Sequence, residues 1–318
     1  MHVLIVNTLR ARISHPGGKV VAGSPNCLGT VLSQKTQERW DWSLRNFRQS
    51  ISLTPPPWHR YTRLVAVHIL LTNDDGVYAP GLRALRRQLV KFGTVTVVAP
   101  LAEQSGVGHA ITLLSPVVVE EVFEGEERLG WLVEGSPADC VKLACLELLD
   151  DQPDLVVSGL NHGANTGINV LYSGTVAAAA EGAFFGLTSI AVSLEYSEHP
   201  NFDRAAEFAG AIIAQILQQN PLRGSLFNVN LPDLAAGDPV GVRVVPQGLA
   251  RYQEGFERRV DPRGRTYFWS KVEYVPGTDE EDTDLTAILN RFVTVTPLKF
   301  DLTDRFRLDA MREWKWRL

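Results

Sequence analysis

The sequence predicts an α/β fold: a Rossmann-like, mostly parallel sheet flanked by helices, with an inserted β-hairpin and a C-terminal β-rich extension arm. Three observations predict it. Short apolar runs alternate with amphipathic stretches from Val67 onward, the pattern of strands and helices around a parallel sheet. Helix signals fall between the runs, with proline at first-turn positions and glycine at ends. Beyond Pro232 the alternation gives way to β-like segments separated by turn residues.

The elements follow in order. Val67–Thr72 reads as the first strand. Pro80–Phe92 reads as a helix, with Leu82, Leu85 and Leu89 on one face and Gly93 closing it. Thr94–Ala99 is a second buried strand, ended by Pro100. Val117–Phe123 and Trp131–Glu134, joined across Glu124-Gly125-Glu126-Glu127, form the expected hairpin. Ser136-Pro137-Ala138-Asp139 resembles a helix cap leading into Cys140–Leu149. Asp154–Ser158 is a short core strand, followed by a polar, glycine-rich loop. The small-residue helix Thr175–Ala183 can lie close against a sheet. Ser189–Leu194 and Ser225–Leu231 are strands on either side of an amphipathic helix, Phe202–Gln218. Turn signals at Pro246-Gln247-Gly248, Asp261-Pro262-Arg263-Gly264 and Pro276-Gly277 then divide the arm, and Phe292–Pro297 is a late strand. These elements divide residues 67–231, the core, from residues 232–318, an arm whose exposed segments could pair with another subunit.

Composition narrows the function classes. The chain has 318 residues and three cysteines, Cys27, Cys140 and Cys145, too scattered for a disulfide framework or a zinc site. A reducing, cytoplasmic setting fits. No apolar stretch reaches the roughly 18 residues that a membrane helix needs. Residues 1–66 carry nine Lys/Arg against Glu38 and Asp41, while the whole chain is −5, so residues 67–318 are acidic at −12. An acidic body argues against binding duplex nucleic acid.

Asn73-Asp74-Asp75-Gly76 sits where the first strand turns into a loop. Like charges in a partly dry site repel and one pKa must rise; a hard divalent cation removes the conflict. Ligands of open parallel sheets bind beyond the carboxyl ends of the strands. That rule selects this loop, the loop Gln104–His109, and the loop Gly159–Gly167. A fourth element, Tyr172-Ser173-Gly174-Thr175, enters the alanine-rich helix and offers amides and hydroxyls to an anion. A cation beside an anion pocket points to phosphate chemistry. Rival motifs are missing: Gly106-Val107-Gly108 lacks the third glycine of a dinucleotide fingerprint, and no phosphate-binding P-loop or Gly-x-Ser-x-Gly elbow occurs. The acids of a covalent aspartyl phosphatase are spaced by one residue, whereas these are adjacent.

The segment Leu70–Gly81, with Val98-Ala99-Pro100, Gln104-Ser105-Gly106, Gly135–Val141, Val157–Asn165, Tyr172–Ala179, Asn228–Pro232 and Val295–Leu298, resembles the SurE family of survival-protein phosphatases. The resemblance covers essentially residues 67–300. It implies metal-dependent hydrolysis of nucleoside 5′-monophosphates, extending to 3′-nucleotides and short polyphosphate. It implies one divalent cation per subunit, Mg²⁺ or Mn²⁺, held by Asp74, Asp75, Ser105 and Asn161. Asn73, Asn165, Ser173, Gly174 and Thr175 fall where the family lines its phosphate pocket. It further implies a homodimer or homotetramer with exchanged C-terminal segments.

On this reading either Asp74 or Asp75 takes a proton from the attacking water while the other stays a ligand. His109, one turn beyond Ser105, is a candidate donor to the leaving oxygen, although His109 and His162 also suit structural or surface roles. The non-enzymatic alternative is a stress-response module that binds nucleotide without turnover. Residues 1–66 lack sustained periodicity and carry the breakers Pro16-Gly17-Gly18 and Pro55-Pro56-Pro57. They fit an Arg-rich targeting segment, an interaction tail, or sequence upstream of a true start near Val67. The third is expected, because family chains begin a few residues before the first Asp of the motif and Val67 occupies the place of their initiator Met.

Overall fold

The computed structural model describes residues 67–249, 253–273 and 281–318. The expectations for residues 1–66 and the turn at Pro276-Gly277 lie outside the described residues, as do Cys27 and the first half of the acidic run Asp279–Asp282.

Among the described residues, β1 (Val67–Thr72), β2 (Gly93–Pro100), β4 (Glu127–Val133), β5 (Leu155–His162), β6 (Thr188–Leu194) and β7 (Leu226–Leu231) form a continuous parallel run in the order β4-β2-β1-β5-β6-β7. β3 (Val119–Glu124) pairs antiparallel with β4, so the hairpin extends one edge of the main sheet. At the other edge β11 (Phe292–Leu298) runs antiparallel to β7 and carries β8 (Gly241–Val244) beside it. The segment after residue 231 thus gives two strands to the sheet. Its remaining strands, β9 (Gln253–Val260) and β10 (Thr266–Glu273), form a separate antiparallel hairpin.

Alternate residues of the strands face two helical layers, as the two-residue period of a strand requires. Ile69, Leu71, Val97, Val157, Val192 and Val229 lie in one buried cluster with Leu82, Leu85 and Leu89 of α1 (Pro80–Leu89) and Ile213 of α4 (Phe202–Gln218). Leu70, Val98 and Val156 face the other way, toward Cys140 and Val141 of α2 (Pro137–Leu143) and Ala178 of α3 (Gly174–Phe184). Cys140 and Cys145 are free, buried thiols in this layer. A Cβ on Gly182 would stand 2.6 Å from Ser189 Oγ and 2.7 Å from Val156 Cγ2, so only a small-residue helix can lie this close to the sheet.

Several boundaries differ from the sequence reading, β4 starting at Glu127 and α2 ending at Leu143 among them, and two of the differences have local reasons. α1 ends at Leu89, three residues early, because the backbone N–H groups of Lys91 and Phe92 bond to Gln88 and Leu89 in tighter turns. β5 continues through Asn161 and His162, which had read as loop. Its register shifts between Ser158 and Asn161, where Gly159 adopts φ +138° and a Cβ would meet Val192 O at 2.2 Å. The two short helices α5 (Asp284–Leu289) and α6 (Arg305–Arg312) complete the described chain. Among the described residues, no helix is long and apolar enough to cross a membrane.

Candidate active site

The loop after β1 is closed by its own first residue. Asn73 is buried; its Nδ2 donates to Gly76 O at 2.9 Å, and Gly76 N donates to Asn73 Oδ1 at 3.2 Å. Gly76 reaches φ +100°, a conformation that favours glycine. The Asn73 amide is therefore committed to the turn that presents Asp74 and Asp75.

Three further segments converge on that pair. The loop after β2 lies against it, since Gln104 N donates to Asp74 O at 2.7 Å. In this loop Ser105 Oγ donates to Glu103 Oε1 at 2.5 Å and is exposed, leaving its lone pairs open to a cation. At the end of β5, the His162 backbone N–H lies close enough to Asp75 to pull its pKa down, and the neighbouring Asn161 donates its Nδ2 to Gly163 O at 2.7 Å. Finally, the N-terminus of α3 touches Asp74: Thr175 Oγ1 donates to Asp74 Oδ1 at 2.5 Å. Ser173 caps this helix by accepting from Val176 N at 3.1 Å. Gly174 has no room for a side chain, because a Cβ there would lie 2.8 Å from Asp74 Cβ and 3.1 Å from Pro137 Cγ.

Burial and mutual repulsion set the electrostatics. Asp74 is 6 % exposed; loss of solvation raises its pKa, against the pull of the Thr175 hydroxyl and backbone N–H. Asp75 is pushed up to about 6, first by burial and then by the charges of Asp74 and Glu103. A divalent cation relieves both causes. The donors on offer are carboxylate, hydroxyl and amide oxygens, the hard set that suits Mg²⁺ or Mn²⁺. No group of three or more His, Cys, Asp or Glu capable of holding a metal occurs among the described residues. A cation beside this pair would need oxygen donors other than carboxylates.

Asn165 is tied to β6 and β7. Its Nδ2 donates to Ser193 Oγ at 2.9 Å, its N–H donates to Asn230 Oδ1 at 2.7 Å, and its carbonyl accepts from Asn228 Nδ2 at 2.7 Å. The following loop is held from the arm, where Asp284 accepts from Gly167 N at 2.9 Å and from Gly248 N at 2.8 Å.

His109 is engaged on α3. Its Nε2 is bonded to Glu181 Oε2 at 2.8 Å on α3, seven residues or roughly 10 Å of helix beyond Gly174. His162 Nε2 donates to Ser197 O at 2.9 Å, and its ring stacks on Tyr196.

Sequence reasoning missed Glu103 and Glu181. Nothing in the sequence marked Glu103. Glu181 carried a signal, as the one charged residue in the helix Gly-Thr-Val-Ala-Ala-Ala-Ala-Glu-Gly-Ala-Phe.

A family model described as survival protein SurE matches residues 69–254. The 5′-nucleotidase SurE of Rhodopirellula baltica is 53% identical over 252 residues, covering 79% of this chain and 100% of that protein. The protein of the same name from Desulforudis audaxviator is 45% identical over 253 residues, covering 78% and 97%. The crystal structure of the SurE protein from Aquifex aeolicus superposes with a TM-score of 0.68 at 38% identity, covering 77% of this chain and 98% of that one.

Proposed function

The chain belongs to the SurE survival-protein family, and from that membership we propose that it hydrolyses nucleoside 5′-monophosphates to nucleoside and phosphate. The observation that carries the reading is the Asp74–Asp75 pair, two carboxylates held at raised pKa with open oxygen donors around them. Asp74, Asp75, Ser105 and Asn161 would hold the cation. When bound, Mg²⁺ or Mn²⁺ supplies Lewis acidity, drawing charge from a phosphoryl oxygen and making water easier to deprotonate.

The chain's own groups do the rest. Thr175 fixes one Asp74 oxygen by a short hydrogen bond and so steadies the carboxylate against the start of α3. Asp75, the less buried of the two carboxylates, is the proton acceptor for the attacking water while Asp74 stays a ligand. The Ser173 hydroxyl proton and the Gly174 backbone N–H, at the positive end of α3, steady the phosphoryl oxygens. Asn165 serves the same pocket from its anchored position on β6 and β7, and Asn73 shapes the turn beneath it. The arm, through Asp284 and Gly248, braces the far side of the pocket and supplies the contacts for a homodimer or homotetramer. The same chemistry accepts 3′-nucleotides and short polyphosphate.

The test is phosphate release from a panel of nucleoside monophosphates with Mg²⁺ and with Mn²⁺, on the full chain and on Asp74→Asn. Metal-dependent release that Asp74→Asn abolishes supports the reading. Nucleotide binding without release would leave a binding module instead, and wild-type activity in Asp74→Asn would put the site elsewhere.

A further inference from the structure

We propose that His109 and Glu181 are positioning residues that latch the loop carrying Ser105 onto α3, and so fix the metal side of the site relative to its phosphate side. The inference rests on the reading of Ser105 as a metal ligand and of the α3 N-terminus as the phosphate cradle.

Glu181 is 4 % exposed in a helix otherwise made of small and apolar residues. A carboxylate buried there is costly unless it is paired and hydrogen-bonded. Two partners reach it: Lys142 Nζ from α2 at 3.3 Å and His109 Nε2 from the loop at 2.8 Å. Burial pushes the Glu181 pKa up, but the His109 hydrogen bond and the Lys142 charge outweigh it and hold the carboxylate below its ordinary range. Lys142 brings a charge to the pair. His109 adds an attachment.

That attachment has two points. Besides its bond to Glu181, the His109 ring stacks on Phe184, with centroids 5.2 Å apart and planes 10° apart. Phe184 lies three residues further along α3, on the same face. Beside this ring, Gly108 N donates to Tyr172 O at 2.9 Å, just before the helix begins. Between Leu101 and Val118 the loop has no helix or strand of its own, so its position is set by such ties. Ser105 sits four residues before His109 and Gly174 seven before Glu181, which makes the latch a short link between the two halves of the site.

The experiment uses full-length His109→Ala and His109→Gln beside wild type. Binding of Mn²⁺ alone is followed by the electron paramagnetic resonance of the free ion, with KM and kcat from phosphate release and Tm measured in parallel. His109→Ala is expected to bind Mn²⁺ about tenfold more weakly, with KM raised more than kcat is lowered. His109→Gln, whose amide can still donate to Glu181, is expected to recover most of that loss. Wild-type Mn²⁺ affinity in His109→Ala overturns the proposal. So does a collapse of kcat at unchanged Mn²⁺ affinity that glutamine fails to rescue, which would make His109 a catalytic acid. A wild-type protein that binds no Mn²⁺ overturns the functional reading, and the latch with it; a defect confined to the comparison of variants leaves that reading standing.

Discussion

Thr175 Oγ1 and Asp74 Oδ1 are joined by a 2.5 Å hydrogen bond between two buried side chains that are 101 residues apart in sequence. The bond connects the loop after the first strand to the start of the helix that lies between β5 and β6. It aims the carboxylate proposed to bind the metal, using a group that needs no contact with the metal.

Removing only that hydroxyl should therefore damage the site more than the fold. Thr175→Val keeps the shape and loses the donor. We expect turnover and metal affinity to fall by about 10- to 100-fold and stability by about 1–3 kcal/mol, read by phosphate release and urea unfolding. Wild-type kinetics would show that the bond is incidental.

Gly174 tests the same corner sterically. Gly174→Ala places a Cβ against Asp74 Cβ and Pro137 Cγ, so either the helix start or the carboxylate must move. The expected cost is about 1–3 kcal/mol, with activity lost even under conditions where the protein is fully folded. Circular dichroism with a turnover assay separates the two effects, and an active, unshifted variant rejects the packing argument.

The raised pKa of Asp75 gives a pH signature with a definite sign. Above about pH 7 the metal-free protein bears the full cost of the ionised Asp75. As pH falls through about 6, the folded form takes up a proton before the unfolded form does, so this group's contribution to stability improves until the ordinary value of 3.8 is passed. A cation needs the ionised carboxylate, so the rise in Tm caused by saturating Mg²⁺ should shrink steadily between pH 8 and pH 5. Asp75→Asn should raise the metal-free Tm at pH 8 while losing phosphate release. Thermal unfolding with and without Mg²⁺ at four pH values checks this; a larger metal effect at pH 5 contradicts it.

Asp139 has the opposite sign. Burial raises its pKa, but hydrogen bonds from the hydroxyl and backbone N–H of Thr112 and from Ser136 outweigh burial and hold it below 3.8. Its stabilising contribution persists down to the ordinary carboxylate range and is lost only below it, clear of the Asp75 window. Asp139→Asn breaks the capping box with Ser136 and loosens Thr112. A loss of about 1–2 kcal/mol in urea unfolding is expected, and no loss would mean that the cap is redundant.

Much of this is legible in the sequence. The helix Phe202–Gln218 agrees to the residue because its apolar period, its Asn201 cap and its length all agree. The Ser136–Asp139 cap was readable for the same reason, being a local device with a local spacing. Asp74 and Asp75 stood out because adjacent acids at a strand end pose an electrostatic problem that sequence alone can state. The His109–Glu181 bond was not readable, since it spans 72 residues and joins a loop to a helix whose facing side depends on how the sheet is laid out. The course of β5 through Asn161 was hidden because glycine-rich sequence signals a turn, and only the neighbouring strand shows that Gly159 makes a bulge instead.

The place of β11 bears on how the molecule is made. A chain emerging from the ribosome completes β1, β5, β6 and β7 well before Phe292–Leu298 exists, and until then β7 presents an open edge of Val229 and Leu231 flanked by unpaired backbone groups. Such edges recruit other chains. Asp284, which ties Gly167 to Gly248, arrives in the same late stretch. Synthesis therefore closes the aggregation-prone edge and braces the pocket in a single step, and a chain halted after Leu231 should scatter light on refolding rather than yield a smaller working enzyme.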